Sequence, residues 1–379
     1  MAVSLLSHDV SDLCIGKPAL KSLPLSATAG DALLALKKGG DTCLALSAAD
    51  RYSPERNVIP GKLCVADILC FLCVDENLDS PVDALKKPVS DFLPKDTGLV
   101  RRVEPHSSVL EALDVILEGA PCLAVPIRSG GRRKLPIRSV GGGGAEFCWL
   151  TQEDFVRYFF SSIAHFAPIA AHSVSSLGLV RSDVLAIQYH DAALNALPLI
   201  RRALADQTSV AVITDDGKLV GEISPSTLAA CDETVAAALV TLSVGDLMAY
   251  IDYCDSPPEG IVRAIKARLM EKGFKGMLKL IEEEPSSPFS SSSSSSSEDE
   301  ESAGRKLRRL RSVGMRRSSE EAIVCHSESS LVAVMVQALA HRVNYVWVVD
   351  EEDYSLLGIV TFADVLKVFR EQLEQPLGI

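Results

Sequence analysis

The sequence predicts an α+β fold made of four copies of one β-α-β-β-α unit. Four short segments with a shared leading valine mark the starts of the copies: Val10-Ser-Asp-Leu13, Val89-Ser-Asp-Phe92, Val174-Ser-Ser-Leu177 and Val244-Gly-Asp-Leu247. Each start is followed by an Ala- and Leu-rich helix pattern and then by an apolar strand pattern. One such unit alone cannot bury the face of its own sheet.

The four starts define a set of boundaries. Repeats span residues 10–75, 88–163 with a loop insertion at 128–146, 174–242, and 243–251 continued by 323–373, while residues 252–284 form a helical insertion and residues 285–322 a disordered linker. The linker combines low apolar content with blocks of like charge and cannot supply a core. In the helical insertion, Ile261, Ile265 and Leu269 share one stripe, which predicts a helix that packs on its own domain or presents a face to a partner.

The last copy shows the unit most clearly. A helix pattern from Leu331 leads to an apolar run at Tyr345–Val349, and a turn connects this run to a second one at Leu356–Val360. Thr361 follows where a helix N-cap is expected, and Asp364 comes three residues later, at the spacing of a capping box. Free N–H groups at such a helix start can bind a phosphate or a ribose, although the two side chains can equally serve only as a cap.

The hydroxyl-plus-aspartate element recurs at the same point of other copies. Repeat 2 keeps Thr151 and Asp154, repeat 1 keeps Asp67 behind a cysteine, and repeat 3 has Thr227 in place of the acid. Capping does not require aspartate in particular, so its presence in three copies favours ligand binding in at least one of them. Repeat 3 is interpreted as structural.

Composition limits the class of protein. The 379 residues are 47% hydrophobic and carry 50 acidic against 38 basic side chains, a net charge of −12. An acidic chain is a poor candidate for sequence-independent nucleic-acid binding, which needs a basic surface. The chain start shows no signal or transit peptide pattern, and no apolar run reaches the ~18 residues of a membrane span. We therefore expect a soluble cytoplasmic protein whose ten cysteines are free thiols.

Two features imitate known reactive or binding sites. Cys70 and Cys73 have C-x-x-C spacing, but without a second pair or a thioredoxin-like context we expect both thiols in a core. The glycine run at 141–144 is not followed by the Lys-Ser/Thr of a P-loop. The seven histidines are dispersed and no serine or cysteine has the context of a nucleophile, so the sequence predicts neither an enzyme nor a metal site.

The linker carries a serine run, an acidic block and then a basic cluster. Acids follow Ser297, and basic residues precede Ser312, Ser318 and Ser319, an arrangement that resembles protein kinase targets. A solvated spacer with an incidental basic cluster explains the same composition. A nuclear-localisation role for the basic run, and hence nuclear as well as cytoplasmic residence, is a weaker alternative.

The last copy resembles a CBS domain. The residues that carry the resemblance are His341-Arg342-Val343, Trp347-Val-Val-Asp350 and Gly358-Ile-Val-Thr361-Phe-Ala-Asp364. Further segments resemble the type-five branch of the plant CBSX proteins with four CBS repeats, among them Phe147-Cys-Trp-Leu-Thr-Gln-Glu-Asp154 and Gly245-Asp-Leu-Met-Ala-Tyr-Ile-Asp252. The four-repeat plan is similar to that of the gamma subunits of AMP-activated and SNF1-related kinases.

The resemblance implies how the repeats combine and what they bind. Repeats 1 and 2, and repeats 3 and 4, would form two tandem pairs (Bateman modules) that bind an adenosine-containing ligand such as AMP, ADP or ATP. In this family the Thr-x-x-Asp element contacts the ligand, with the ribose on the carboxylate. The resemblance thus assigns ligand-binding roles to Thr151, Asp154, Thr361, Asp364 and, with a cysteine in the hydroxyl position, Asp67. Basic residues before the first hairpin strand of gamma-type sensors point to Arg342 as a phosphate contact.

The function implied is non-catalytic regulation of a partner protein, such as an SNF1-related or AMP-activated protein kinase, with no required cofactor. The alternative from another class is a ligand-free CBS interaction scaffold in stress or redox signalling, which kept the fold and lost the sites. No nucleic acid or membrane partner is expected. The nucleotide, the sign of the regulation and homodimerisation stay open.

Overall fold

The computed structural model describes residues 8–39, 41–48, 58–93, 100–127, 146–254, 256–282, 318–319 and 321–374. The loop insertion of repeat 2, apart from its last residue, and most of the Ser-rich and charged linker lie outside these described residues. Within the described ranges, no helix has the length and apolar character needed to span a bilayer.

Each repeat contributes one three-stranded sheet. In all four sheets a short first strand lies parallel to the second, and the second and third strands form an antiparallel hairpin. The strands are β1 Ser22–Pro24, β2 Leu44–Ala48, β3 Val58–Leu63, β4 Arg101–Arg102, β5 Leu123–Ile127, β6 Glu146–Leu150, β7 Ala186–Gln188, β8 Val210–Ile213, β9 Leu219–Ile223, β10 Val324–Cys325, β11 Tyr345–Val349 and β12 Leu356–Thr361. All five residues of β11 are buried, so its continuous apolar run reflects a strand covered on both faces.

Helices flank each hairpin. They are α1 Val10–Leu13, α2 Ala29–Gly39, α3 Val65–Leu72, α4 Asp75–Leu78, α5 Pro81–Ala84, α6 Val109–Leu117, α7 Gln152–Ser161, α8 Ala167–Ala170, α9 Ala196–Asp206, α10 Pro225–Leu228, α11 Val235–Thr241, α12 Val244–Asp252, α13 Glu259–Lys272, α14 Lys275–Glu282, α15 Leu331–His341 and α16 Phe362–Glu374. Short 3₁₀ segments lie at Val89–Asp91, Ile163–Phe166 and Ala193–Asn195. The helix after the hairpin of repeat 3, α10, is only one turn long, which agrees with the departure of this repeat from the common pattern.

The sheets face one another in the two predicted pairs. Ala45 of the first sheet packs with Ala124 and Phe147 of the second in a separate apolar cluster. In the other pair, the backbone N–H of Leu219 in repeat 3 donates to the carbonyl of Tyr354 in repeat 4 at 3.2 Å. The predicted α+β fold with two tandem pairs is therefore confirmed.

Helices join the two pairs to each other. Repeat 4 contacts repeat 2 through α16 on α7 and α6, and repeat 3 contacts repeat 1 through α9 on α3. Phe159 of α7 and Phe369 of α16 stack with ring centroids 5.0 Å apart and planes 2° from parallel. Both rings come five residues after the motif aspartates, Asp154 and Asp364. Equivalent positions of the two repeats therefore meet across a pseudo-two-fold axis.

The repeated valine segments do not pack on their own repeats. Each valine donates its backbone N–H to a carbonyl that lies just before the first long helix of the partner repeat in the same pair. These bonds run from Val10 to Ser107, Val89 to Ala27, Val174 to Ser329 and Val244 to Asp191, at 2.9, 2.8, 2.9 and 2.9 Å. All four valines are fully buried. Within each pair, the opening segment of each repeat therefore packs on the other repeat, and we call this the exchange of chain openings.

The helical insertion is part of the core. Ile265 and Leu269 of α13 are fully buried in the apolar cluster shared by repeats 1 and 3. Arg268 donates to the carbonyl of Thr241 at 2.7 Å and so satisfies an end group of α11. The stripe therefore packs within this chain, on the core shared by repeats 1 and 3.

Candidate functional site

The hydroxyl-plus-aspartate element of repeat 2 lies where β6 ends and α7 begins. Thr151 is the N-cap of α7, and its N–H and hydroxyl both donate to Oδ2 of Asp154, at 2.7 and 2.9 Å. The Asp154 side chain is 17% exposed. The predicted capping box is present, and its carboxylate lies at the edge of the interior rather than on the open surface.

A lysine from the other repeat of the pair contacts the same carboxylate. Nζ of Lys17 lies 2.5 Å from Oδ2 of Asp154 and donates to the carbonyl of Trp149 at 2.8 Å. Three donor groups therefore meet on Oδ2. The other oxygen, Oδ1, accepts no hydrogen bond from the described residues, and it retains the acceptor capacity that a ribose hydroxyl needs.

A cleft of about 350 Å³ opens beside Asp154. Its other lining residues are His8, Asp12, Leu13, Arg157 and Tyr158. The Tyr158 hydroxyl lies 2.8 Å from Nδ1 of His8. Burial, helped by the carboxylate of Asp12, raises the pKa of Tyr158 to about 12, so the phenol stays protonated at neutral pH. The cleft volume falls within the range of ~300–1,000 Å³ that is usual for small-molecule sites.

Repeat 4 has a similar bond between the hydroxyl and the carboxylate of its motif. The hydroxyl of Thr361 donates to Oδ2 of Asp364 at 2.6 Å and accepts from the backbone N–H of Asp364 at 3.2 Å. The guanidinium of Arg181 lies 3.9 Å from Oδ2, and Nζ of Lys367 lies 3.7 Å from Oδ1. Asp364 is 15% exposed, which again excludes the open surface. Its ion pairs are longer than the one at Asp154.

Lys17 and Arg181 occupy equivalent positions, and neither was predicted from the sequence. Lys17 comes seven residues after Val10, and Arg181 comes seven residues after Val174. Each cation is carried by an exchanged chain opening to the aspartate of the partner repeat. The shared seven-residue spacing from the opening valine could have indicated that the two cations are equivalent. It points to the motif aspartates only once the exchange of the openings is known.

Arg342 ends helix α15. Its backbone is left-handed, with φ of 55°, and its side chain is exposed. Among the described residues it makes no ion pair, and no hydrogen bond joins it to Thr361 or Asp364. Its role as a phosphate contact stays a prediction.

The corresponding position of repeat 1 is less polar. The backbone N–H of Cys64 donates to Oδ2 of Asp67 at 2.8 Å. Burial raises the pKa of Asp67 above its ordinary value, against the lowering effect of the bonds from Cys64 and the charge of Lys62. Burial also raises the pKa of the Cys64 thiol, so this group stays neutral. The ligand-binding role of Asp67 stays a prediction.

Repeat 3 has a cap made of hydroxyls alone. Ser224 accepts from the backbone N–H of Thr227 at 3.1 Å, and the Ser224 N–H donates to the Thr227 hydroxyl at 3.0 Å. Two residues earlier, the fully buried Glu222 accepts from the Tyr345 hydroxyl at 2.8 Å and from Nε1 of Trp347 at 2.7 Å. A hydrogen-bond network between the sheets therefore lies next to this cap, and the structural role of repeat 3 stays a prediction.

The C-x-x-C thiols lie in the core, as predicted. Cys70 and Cys73 are 4% and 5% exposed, and burial raises the pKa of Cys70 to about 12 and that of Cys73 further. In the part of the chain that the structure describes, no cluster of three His, Cys, Asp or Glu side chains could hold a metal ion.

Known proteins share this architecture. A CBS domain matches residues 310–371. The chain is 44% identical to the CBS domain-containing protein CBSX5 of Arabidopsis thaliana over the full length of both. It is 22% identical to the SNF1-related protein kinase regulatory subunit gamma-like PV42b of Arabidopsis thaliana, covering 97% of this chain and 96% of that protein. The crystal structure of protein MJ1225 from Methanocaldococcus jannaschii, a proposed archaeal homolog of g-AMPK, has the same fold, with a TM-score of 0.57, 13% identity and coverage of 96% and 100%.

Proposed function

The chain belongs to the CBS domain-containing proteins of the CBSX family, and from that premise we propose that it binds an adenosine-containing ligand at Asp154 and Asp364. It is a CBS-domain regulatory protein related to the gamma subunits of AMP-activated and SNF1-related kinases. AMP, ADP and ATP are the ligands proposed. The ligand acts as a regulator and not as a cofactor, and the chain itself is not an enzyme.

The observation that carries this proposal is the state of the Asp154 carboxylate. It is mostly buried, it is fixed by Thr151 and Lys17 through a single oxygen, and it borders a cleft of about 350 Å³. A carboxylate held in this way is preorganised to accept a ribose hydroxyl on Oδ1, because its side chain loses little further freedom on binding. The guanidinium of Arg157, which lines the cleft, supplies positive charge for a phosphate.

A second cleft extends the site toward repeat 4. It has a volume of about 310 Å³, shares Arg157 with the first cleft, and is otherwise lined by apolar side chains of α7 and α15. A ligand at Asp154 would therefore lie close to the contact between repeats 2 and 4, where Phe159 and Phe369 stack. Ligand binding can change a partner only by favouring one arrangement of the two pairs, and a coupling of ~1–3 kcal/mol is sufficient.

We propose a protein kinase of the SNF1-related type as the regulated partner. The name of the relative PV42b supports this class, since that protein is a gamma-like regulatory subunit of such a kinase. Retention of the kinase on the immobilised full chain, with a change in the amount retained when AMP or ATP is added, is the expected result of a pull-down from native extract.

Calorimetric titration of the full chain with AMP, ADP, ATP and S-adenosylmethionine tests ligand binding. Asp154→Asn and Asp364→Asn keep the size of each side chain but remove the charge, so each is expected to weaken its site by about tenfold or more. Asp246→Asn is the matched control, because Asp246 follows the N-cap Ser243 at the same spacing but is exposed and away from both sites. Binding that survives in the double variant would show that the ligand lies elsewhere.

The ligand-free scaffold is the second candidate. It is favoured by the Lys17 ion pair, which already neutralises Asp154, and by the loss of the aspartate in repeat 3. Absence of heat with every ligand at millimolar concentration, together with retention of the partner in the pull-down, would support the scaffold and reject the sensor.

A further inference from the structure

Two serines anchor the end of the long insertion on α12, the helix that opens repeat 4 and packs on repeat 3. Oγ of Ser318 donates to Oδ2 of Asp252 at 2.7 Å, and the backbone N–H of Ser319 donates to Oδ1 of the same carboxylate at 2.7 Å. Ser319 is fully buried, and its hydroxyl donates to the carbonyl of Met248 at 3.3 Å. We name this pair, Ser318–Ser319, the serine strap. Although they fall within the predicted linker, these two residues are held in place.

The serine strap lies along β9 in the way that another segment lies along β12. The backbone N–H of Glu222 donates to the carbonyl of Ser319 at 2.8 Å. In repeat 4 the N–H of Ile359 donates to the carbonyl of Arg181 at 2.9 Å. Glu222 and Ile359 each come two residues before the helix cap, so Ser319 takes the place of Arg181. The strap therefore fills the repeat 3 counterpart of a position that, in repeat 4, carries a cation of the candidate site.

The surroundings of the Ser318 hydroxyl stabilise a neutral group and destabilise an anion. Its oxygen contacts the Asp252 carboxylate, and Asp252 is the last residue of α12, where the helix dipole is negative. A phosphate on Ser318 would carry ~1.5–2 negative charges against both. The bond from Ser318 to Asp252 would also be lost, because the modified oxygen has no proton to donate.

We propose that Ser318 is a phosphorylation site and that its phosphorylation releases the serine strap from repeat 3. The Ser318 oxygen forms a bond to the γ-phosphorus of ATP, the bond from that phosphorus to the β,γ-bridging oxygen breaks, ADP leaves, and the hydroxyl proton passes to the kinase. The modified serine is compatible only with the detached strap, so the phosphate holds the detached state. This inference does not depend on nucleotide binding at Asp154 or Asp364.

The class of kinase follows from the charge of the preceding sequence. Arg316 and Arg317, which lie outside the described residues, directly precede Ser318. An arginine-directed serine kinase recognises such a sequence through carboxylates in its substrate groove. Ser312 follows a similar basic run and provides an internal reference in the same chain.

The experiment measures phosphorylation of the full chain by the catalytic subunit of cyclic-AMP-dependent kinase with Mg-ATP, site by site, by mass spectrometry. Asp252→Ala removes both hydrogen bonds to the carboxylate, and the initial rate at Ser318 is expected to rise by about tenfold while the rate at Ser312 is unchanged. Asp246→Ala, in the exposed first turn of the same helix, is the matched control and should alter neither rate.

Hydrogen exchange provides the structural readout. In the chain phosphorylated at Ser318, the amide of Glu222 loses its acceptor and is expected to exchange at least tenfold faster, whereas the amide of Ile359 is unchanged. An equal rate at Ser318 with and without Asp252 would overturn the proposal. So would phosphate found on Ser319 and not on Ser318, or an unchanged Glu222 amide in the phosphorylated chain.

Discussion

Nζ of Lys17 lies 2.5 Å from Oδ2 of Asp154, although the two residues belong to different repeats and are separated by 137 positions in the sequence. The contact exists because the first opening segment of the chain crosses to repeat 2. Both side chains are mostly buried, at 22% and 17% exposure, so water screens the pair poorly. This ion pair links the exchange of chain openings to the candidate ligand site.

Loss of the Lys17 charge is expected to destabilise the first pair of repeats. Lys17→Met leaves the Asp154 carboxylate with Thr151 alone and should lower the free energy of unfolding by about 1–3 kcal/mol. Lys367→Met is the control, since Lys367 is 56% exposed and 3.7 Å from Asp364, and should change it by less than about 0.5 kcal/mol. Urea unfolding followed by circular dichroism measures the free energy of unfolding of both variants. Equal losses in the two would refute a special stabilising role for Lys17.

The exchanged valines are expected to matter for stability. Val174 is fully buried against repeat 4, so Val174→Ala should cost about 2 kcal/mol. Trp347, also fully buried in repeat 4, reports this unfolding through its fluorescence. Val336→Ala removes the same two methyl groups from a side chain that is 46% exposed, and should have little effect. If Val174→Ala lowered the stability no more than Val336→Ala does, the packing of the Val174 segment on repeat 4 would be contradicted.

Replacement of Asp67 is expected to stabilise the protein at neutral pH. Burial raises the pKa of Asp67 in the folded chain above its ordinary value. As pH rises, the carboxyl group of the unfolded chain therefore loses its proton first, and the wild type loses stability. Asp67→Asn avoids this loss and still accepts from the N–H of Cys64. Thermal unfolding should show a gain at pH 7 that vanishes below pH ~3.5. A stability gain of Asp67→Asn that grows toward low pH would contradict a raised pKa of Asp67.

The core thiols are expected to be unreactive. With the pKa of Cys70 raised to about 12, and that of Cys73 also raised by burial, almost no thiolate exists at pH 8. Iodoacetamide should leave both residues unmodified in the native chain and modify them in urea, as seen by peptide mass spectrometry. Rapid native modification of either thiol would favour the redox alternative for the scaffold.

The local features of the fold could be predicted from the sequence because they have local causes. The hairpins follow from apolar runs bounded by turn residues, and the caps at Thr151 and Thr361 follow from a three-residue spacing. The likeness of the four valine segments was also visible. The repeat on which each segment packs was not visible, because an exchange of openings between neighbouring copies leaves the hydrophobic periodicity of each copy unchanged.

The candidate site likewise contains some residues that the sequence predicts and others that only the tertiary structure reveals. Asp154 and Asp364 belong to a recurring motif, whereas Lys17 and Arg181 reach them only through the tertiary arrangement. Asp252 is similar, since its contact with Ser318 crosses the whole insertion. Composition predicts that a serine-rich, charged tract lacks a core, but it does not reveal that two serines at its end are bound by a distant carboxylate.

The crystal structure of the full chain with AMP tests the central claim most directly. The account predicts AMP in the cleft of repeat 2, with a ribose hydroxyl about 2.6–3.0 Å from Oδ1 of Asp154 and the Thr151 cap intact. AMP bound away from both Asp154 and Asp364, or both sites empty at saturating AMP, would contradict it.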